Sequence, residues 1–355
     1  MRLGDICTIK YGKDHKKLND GDIPLYGSGG VMRHVEKALW SKPSVLIPRK
    51  GTLGNLFFVN KPFWTVDTCF WTDIDEEQVL PEYLFYQLKT KDLASLNVGT
   101  AVPSLTTDVL NEVQIDLPSL EKQKQVVEML GSLDSKIEIN TQLNGYLLEL
   151  ASTIFKTWFM NDDARYSTNK VAISEIAVIN AGGDKPNVCQ KTPSNKCPVP
   201  VYSNGTDNEG LYGYTSMAKV TEPSVTVSAR GTIGFTCLRH QPYYPIVRLI
   251  SATPKEGITV EYLYLWLRNK MITGVGTTQQ QLTVPMFKKY EIDVPSARNL
   301  TKFTEIVRPL FNAIAANKTE NTELVELRNA LLPKLMSGEI DVSKIDLTQL
   351  NSHLA

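Results

Sequence analysis

The stretch "PSVLIPRKGTLGN" fills residues 43–55, and "PSVTVSARGTIGF" fills residues 223–235. Pro, Ser, Val, Gly, Thr and Gly return in the same places, with Lys50 answered by Arg230 and Leu53 by Ile233. Apolar, β-branched runs on either side of a Gly-Thr break read as strand, turn, strand. The repeat extends outward from there. "DIPLYGSGG" (22–30) matches "PVPVYSNGT" (198–206), and "PEYLFYQLK" (81–89) matches "VEYLYLWLR" (260–268). From Gly99 onward the offset is a constant 177, so that "GTAVPSLTTDVLNEVQIDLPS" faces "GTTQQQLTVPMFKKYEIDVPS". Upstream it drifts between 170 and 180, which places insertions in loops. Two copies are too few, and the period too long, for a solenoid. They suit a pseudo-two-fold molecule that meets two similar partners, or one partner twice.

Each copy opens as a mixed α/β globule. "PEYLFYQLKTK" sets Tyr83, Tyr86 and Gln87 at helical spacing behind a Pro suited to the first turn. "EVQIDLP" reads as a closing strand with a Pro stop. A long helix follows in each copy. From Leu120 to Phe159 there is no Pro, and a seam runs in steps of four and three. It passes through Val126, Leu130, Leu133, Ile137, Asn140, Asn144, Leu147, Ala151, Ile154 and Trp158. The second seam passes through Phe303, Val307, Leu310, Ile314, Asn317, Asn321, Leu324, Arg328, Leu331 and Leu335, with bends expected at Pro309 and Pro333. Such seams predict an antiparallel coiled coil in which Asn140 faces Asn321 and Asn144 faces Asn317. Leu133 against Arg328 is the one poor match. About forty residues at ~1.5 Å each give rods of roughly 60 Å, which read as spacers. The fold class is α+β: two α/β globules related by pseudo-two-fold symmetry and separated by two long helices. Their bounds are 1–118, 119–162, 163–295 and 296–355.

The 355 residues suffice for two cores, and 42% hydrophobic with 21% charged is an ordinary globular balance. No stretch reaches the ~20 apolar residues of a membrane span, and the amino terminus has no signal-like run. Five cysteines without CxxC spacing point to reduced thiols and a cytoplasmic setting. Net charge is zero, which argues against a chain that coats nucleic acid nonspecifically. The balance is −2 over 1–118, −3 over 119–164 and +5 over 165–295. Binding to DNA would therefore need local clusters.

Catalytic constellations are missing from the sequence. It has no GxxxxGK[ST], no GxGxxG, no HExxH and no GxSxG, and its four histidines lie far apart. No catalytic or metal site is read here; "DIDEEQ" (73–78) reads as a solvated turn. Groups suited to recognition are present instead. "KYGKDHKK" (10–17) gathers Lys13, His15, Lys16 and Lys17 in a loop. Arg33, Arg49 and Lys50 with Thr52, and Arg230 with Thr232, place cations and hydroxyls at tight turns. A cation beside Gly-Thr offers charge, hydroxyl and backbone N–H to a phosphate, although a hairpin needing a flexible Gly looks the same. Lys185, Asn204 and Tyr212 are candidate contacts in the second copy. Gln279 and Gln280 in "TTQQQLT" have amides suited to adenine edges, as a plain polar loop also would.

The chain resembles the specificity (S) subunits of Type I restriction-modification systems. The resemblance spans essentially the whole chain. It rests on the twofold layout, on "IEINTQLNGYLLELASTIFKTWF" and "LRNALLPKLMSGEIDV", on "GTAVPSLT" before "IDLPS", and on "RKGTLG" and "ARGTIG". It implies two target-recognition domains, each reading half of a split, asymmetric double-stranded DNA sequence. It also implies helices that dock two modification (methyltransferase) subunits, with restriction (translocase-nuclease) subunits joining them. The chain itself would then be non-catalytic and free of cofactors, with S-adenosylmethionine, ATP and Mg on those partners. Against the family pattern, the first strand is expected to begin at Met1, leaving closure to the segment after Gly338. Two other readings stay open: a coiled-coil adaptor whose globules bind protein or sugar, and a self-sufficient methyltransferase or nuclease.

Overall fold

The computed structural model describes residues 1–99, 103–160, 168–270, 272–273 and 281–342. Its longest helices are α1 (Pro81–Lys89), α2 (Leu120–Phe159), α3 (Val260–Asn269) and α4 (Ala297–Met336). Two compact units result: Met1–Asn140 with the chain from Thr319 on, and Thr141–Lys318. Each unit therefore contains one globule and part of both long helices.

In the first unit the strands are β1 (Cys7–Tyr11), β2 (Ile23–Gly27), β3 (Gly30–Val35), β4 (Ser44–Pro48), β5 (Phe57–Val59), β6 (Trp64–Thr65) and β7 (Cys69–Ile74). An antiparallel sheet of order β1-β7-β4-β5 stands beside a smaller one of order β3-β2-β6. "SVLIP" is buried along its whole length, as its unbroken apolar run requires of a central strand. Pro81 starts α1, which turns Tyr83, Leu84, Tyr86, Gln87 and Leu88 inward over β4 and β5. Val126 and Leu130 of α2, with Leu335 and Met336 of α4, complete this core.

The second unit has β8 (Thr168–Ala172), β9 (Ala177–Ala181), β10 (Val199–Tyr202), β11 (Leu211–Thr215), β12 (Ser224–Val227), β13 (Thr236–Arg239), β14 (Tyr244–Pro245), β15 (Ile250–Pro254) and β16 (Glu291–Pro295). Its sheets, β13-β12-β15-β9 and β11-β10-β14, repeat the first pair strand for strand. Even the irregularity recurs: β2 shifts register between Leu25 and Tyr26, and β10 between Val201 and Tyr202. Its core takes Ala151, Phe155 and Trp158 from α2 with Phe303 and Val307 from α4.

Two expectations need correction. The first strand begins at Cys7 rather than Met1, because Leu3–Ile6 forms a helical turn ahead of it. "EVQIDLP" is no strand in the first copy, whereas β16 pairs with β8 over five rungs in the second. The last of those rungs, Ala172 opposite Glu291, has its counterpart in the lone bridge between Arg2 and Gln114. A strand needs a partner's ladder, and one rung does not make one.

Within each unit the long helices run antiparallel. In the first, Asn140 Nδ2 donates to Asn321 Oδ1 at 2.9 Å and to Glu320 Oε2 at 2.7 Å, and Asn321 Nδ2 reaches Ile137 O at 3.3 Å. The mismatch of Leu133 with Arg328 is resolved sideways. Leu133 stays buried, while Arg328 pairs with Asp134, whose other oxygen accepts from the Tyr86 hydroxyl at 2.7 Å. Burial and the adjacent Asp134 hold the Tyr86 hydroxyl far above the ordinary tyrosine range. In the second unit Asn317 Nδ2 donates to Asn144 Oδ1 at 2.8 Å. α4 continues as one helix through Pro309 and Pro333. Among the described residues no helix is long and apolar enough to cross a membrane.

Candidate nucleic-acid interface

In both copies a turn between the two sheets carries the neighbouring loops. In the first copy it is Val66-Asp67-Thr68, where Val66 N donates to Tyr26 O and Cys69 N closes back on Val66 O. In the second it is Ile246-Val247-Arg248, with Ile246 N on Tyr202 O and Leu249 N on Ile246 O. Glycine lets the chain pass close by. A Cβ at Gly12 would lie 2.0 Å from Val66 O, and one at Gly182 would lie 2.6 Å from Ile246 N. Gly12 N reaches Cys69 O, and Gly182 N reaches Leu249 O. The two frames match bond for bond at these points.

The first frame encloses an open cleft of about 850 Å³ lined by Asp14, His15, Lys16, Ser28, Asp67 and Thr68, among others. Backbone bonds fix the root of its loop, with Lys13 N on Thr65 O and Trp64 Nε1 on Lys13 O. Lys13, Lys16 and Lys17 are exposed, and His15 is half-buried with its Nδ1 unpartnered among the described residues. Arg33 is a strut: its guanidinium donates to Asp20 Oδ1 at 2.8 Å, Leu18 O at 2.9 Å and His15 O at 3.0 Å. The Lys16 amide holds the Asp14 carboxyl below its ordinary range, so the cleft keeps an anion beside its cations. Arg49 lies over the Tyr11 ring and donates to Asp67 O, while Lys50 and Thr52 are exposed on the next turn. That turn touches the β2–β3 hairpin, because Asn55 Nδ2 donates to Ser28 O at 3.1 Å.

The second frame is filled differently. Arg230 is half-buried, donates from Nη2 to Gln281 Oε1 at 3.2 Å, and has a buried Nε unpartnered among the described residues. Gln279 and Gln280 lie outside the described residues. Asn204 is a clamp, taking the Ala229 amide at Oδ1 and giving Nδ2 to Val247 O, both at 2.7 Å. Tyr212 presents its ring to Lys185 at 5.2 Å and to Lys191 at 4.9 Å, and Thr232 is exposed. Asn208 and Glu209 both take left-handed backbone, with φ of 45° and 53°. That strained turn is held by buried Arg239, which bonds Glu209 O and Oε2 and lies 3.6 Å from the Tyr202 ring centroid. Lys318 of α4 pairs with the same carboxylate.

Sequence reasoning missed Lys191, Arg239 and Arg248. Aligning "WTVDTCF" on "YPIVRLI" sets Arg248 opposite Thr68, and that alignment was the signal available for it. All five cysteines are free, and burial pushes the thiols of Cys7 up to about 12 and of Cys69 and Cys237 up to about 11. Among the described residues no group of three or more His, Cys, Asp and Glu is placed to hold a metal ion.

The frame thus recurs in both units with different cationic contents, and comparison with known proteins assigns the chain to a family. The model for the type I restriction modification DNA specificity domain matches residues 1–148 and 167–326. The chain belongs to that family, and it is a DNA specificity subunit. A Mycoplasma pneumoniae protein named as a type I specificity subunit is 26% identical over 342 residues, covering 92% of this chain and 93% of that one. The HindI type I restriction enzyme specificity subunit of Haemophilus influenzae is 26% identical over 358 residues, with coverage of 74% and 78%. The crystal structure of a type I restriction-modification system S subunit from M. genitalium shares the fold, with a TM-score of 0.61 at 16% identity over 94% of this chain and 95% of that one.

Proposed function

We propose that this subunit reads an asymmetric, two-part double-stranded DNA target, one half with each globule. The supporting observation is the repeated frame with unequal contents: the same backbone bonds carry Asp67-Thr68 in one copy and Val247-Arg248 in the other. A common frame fits a common duplex backbone, and unlike side chains fit unlike bases. Lys13, His15, Lys16, Lys17, Arg49, Lys50 and Thr52 serve the first half-site. Lys185, Tyr212, Arg230 and Thr232 serve the second, with Gln279 and Gln280 as base-edge candidates. Arg33 and Asn204 act by shaping their loops. The long helices dock two modification subunits, and restriction subunits join that assembly in the cytoplasm. Methyl transfer, ATP use and the accompanying S-adenosylmethionine and Mg belong to those partners.

The test is selection of bound duplexes by the full chain from a library with random bases. Two unlike blocks separated by a run of indifferent base pairs are the expected outcome. One contiguous block, or a symmetric pair, would overturn the bipartite asymmetric reading. No enrichment at all would favour an adaptor for protein or sugar.

A further inference from the structure

Val247 and Arg248 both occupy left-handed backbone, with φ of 52° and 61°. Two consecutive residues other than glycine in this region are uncommon, and a β-branched valine is the least suited of all. Such strain persists only where the surroundings over-determine it. Here they do. Val247 N donates to Gly183 O, Arg248 N to Gly182 O and Leu249 N to Ile246 O, while Val247 O accepts from the Asn204 amide. Asn or Gly would adopt this backbone without that strain.

The strained turn presents its side chains outward. Val247 is 46% exposed, an unusual place for an apolar branched group. Arg248 is exposed, and its guanidinium has no hydrogen bond or ion pair among the described residues. Its counterparts Asp67 and Thr68 have no positive φ, and they line the cleft of the first copy. Through Asn204 the turn is tied to the Arg230 loop, so Arg248 and the candidate phosphate contact Arg230 lie on the two sides of one clamp.

We infer that Val247-Arg248 is a base-reading finger of the second globule, with Arg248 donating to the guanine edge of one G·C pair. The inference rests on the DNA-reading function proposed above. An unpaired guanidinium held on rigid backbone suits two parallel hydrogen bonds to guanine O6 and N7. Valine beside it keeps water from the contact and offers no competing acceptor. In the first copy Asp67 and Thr68 replace this pair with an acceptor and a hydroxyl, so the two half-sites should differ at the corresponding position.

The experiment compares duplex selection by the full wild-type chain with selection by Arg248→Ala, Arg248→Lys and Val247→Gly. Wild type should prefer G·C at one pair of one half-site by roughly 5- to 150-fold, the range of a bidentate contact. Arg248→Ala should flatten preference at that pair alone and leave the other half-site unchanged. Arg248→Lys should keep the folded state and much of the affinity while losing most of that preference. Val247→Gly should raise Tm through relief of strain, yet broaden preference at the same pair. If the alanine variant folds and binds every sequence more weakly by one factor, Arg248 is a phosphate contact and the inference is wrong. An unchanged pattern would overturn it equally. If wild type selects no sequence, the DNA-reading proposal fails first and the finger with it.

Discussion

The two globules share a frame but not its filling. Sheet orders, the bulge in β2 and β10, and the glycine approaches at Gly12 and Gly182 recur. Around them the first copy braces a lysine-rich loop with Arg33, and the second braces a strained 207–210 turn with Arg239. Arg239 stands where the first copy has Val59. Backbone bonds and close approaches tolerate change in the side chains they carry, so one frame can hold different readers. The braces differ because each loop needs its own internal satisfaction of polar groups.

The largest effect should come from removing the buried brace. Arg239→Ala leaves Glu209 O and the Thr226 hydroxyl without their donor and opens a void against Tyr202. About 3 kcal/mol of stability should be lost, measured by urea unfolding. Arg33→Ala, removing a strut in an exposed loop, should cost about 1 kcal/mol. Equal losses would break the contrast between a buried and a solvated brace.

A second comparison sets the two amide pairs side by side. Asn140→Leu should cost about 1–2 kcal/mol, because the Asn321 amide then faces leucine at a position where Asn140 is 3% exposed. Adding Asn321→Leu should recover part of that loss, since a matched apolar pair leaves fewer polar atoms unpaired. Asn144→Leu, in the half-buried second pair, should cost less. A thermodynamic cycle showing no coupling between Asn140 and Asn321 would refute their pairing.

Smaller still are the phosphate contacts. Lys50→Ala and Arg230→Ala should each weaken binding to all duplexes and reduce the log–log salt slope by about 1. Arg230 is held by Gln281 and Lys50 is exposed, so Arg230→Ala should be the more damaging. A change in base preference from either would move that residue from phosphate to base contact.

A last test is a pH dependence in the thiols. Folded Cys7 titrates at about 12 and Cys69 and Cys237 at about 11, against 9 for a free thiol. A raised folded value contributes stability that is complete below pH 9 and is lost progressively from pH 9 until 11 to 12 is passed. Alkylation at pH 9 should therefore be slow at these three cysteines until urea unfolds the protein. Fast native reaction at Cys7 would show that its core opens locally.

Much of the fold was legible because it is written twice in patterns that local physics enforces. The "PSV" strands, the Pro81 helix start and two uninterrupted seams needed only period and punctuation. The Asn pairs followed from the seam, since amides in an apolar groove must find each other. The candidate site was less legible. Arg33 and Asn204 read in the sequence as candidate DNA contacts, and nothing local tells a strut or a clamp from a free contact. Their partners, Asp20, His15 and Leu18 in one case and Ala229 and Val247 in the other, lie up to 43 residues away.

By itself the sequence determined the duplication, the strand-turn-strand frame, the two rods and their antiparallel register, because each depends on spacing along the chain. Tertiary structure alone decided that Arg328 leaves the seam for Asp134, which also takes the Tyr86 hydroxyl, that "EVQIDLP" lacks a ladder while β16 has one, and that Val247-Arg248 is bent into a strained turn. Each of these depends on a partner brought close by folding. A hydrogen bond to a distant carbonyl, or a φ imposed by three such bonds, leaves no periodic trace in the chain that makes it.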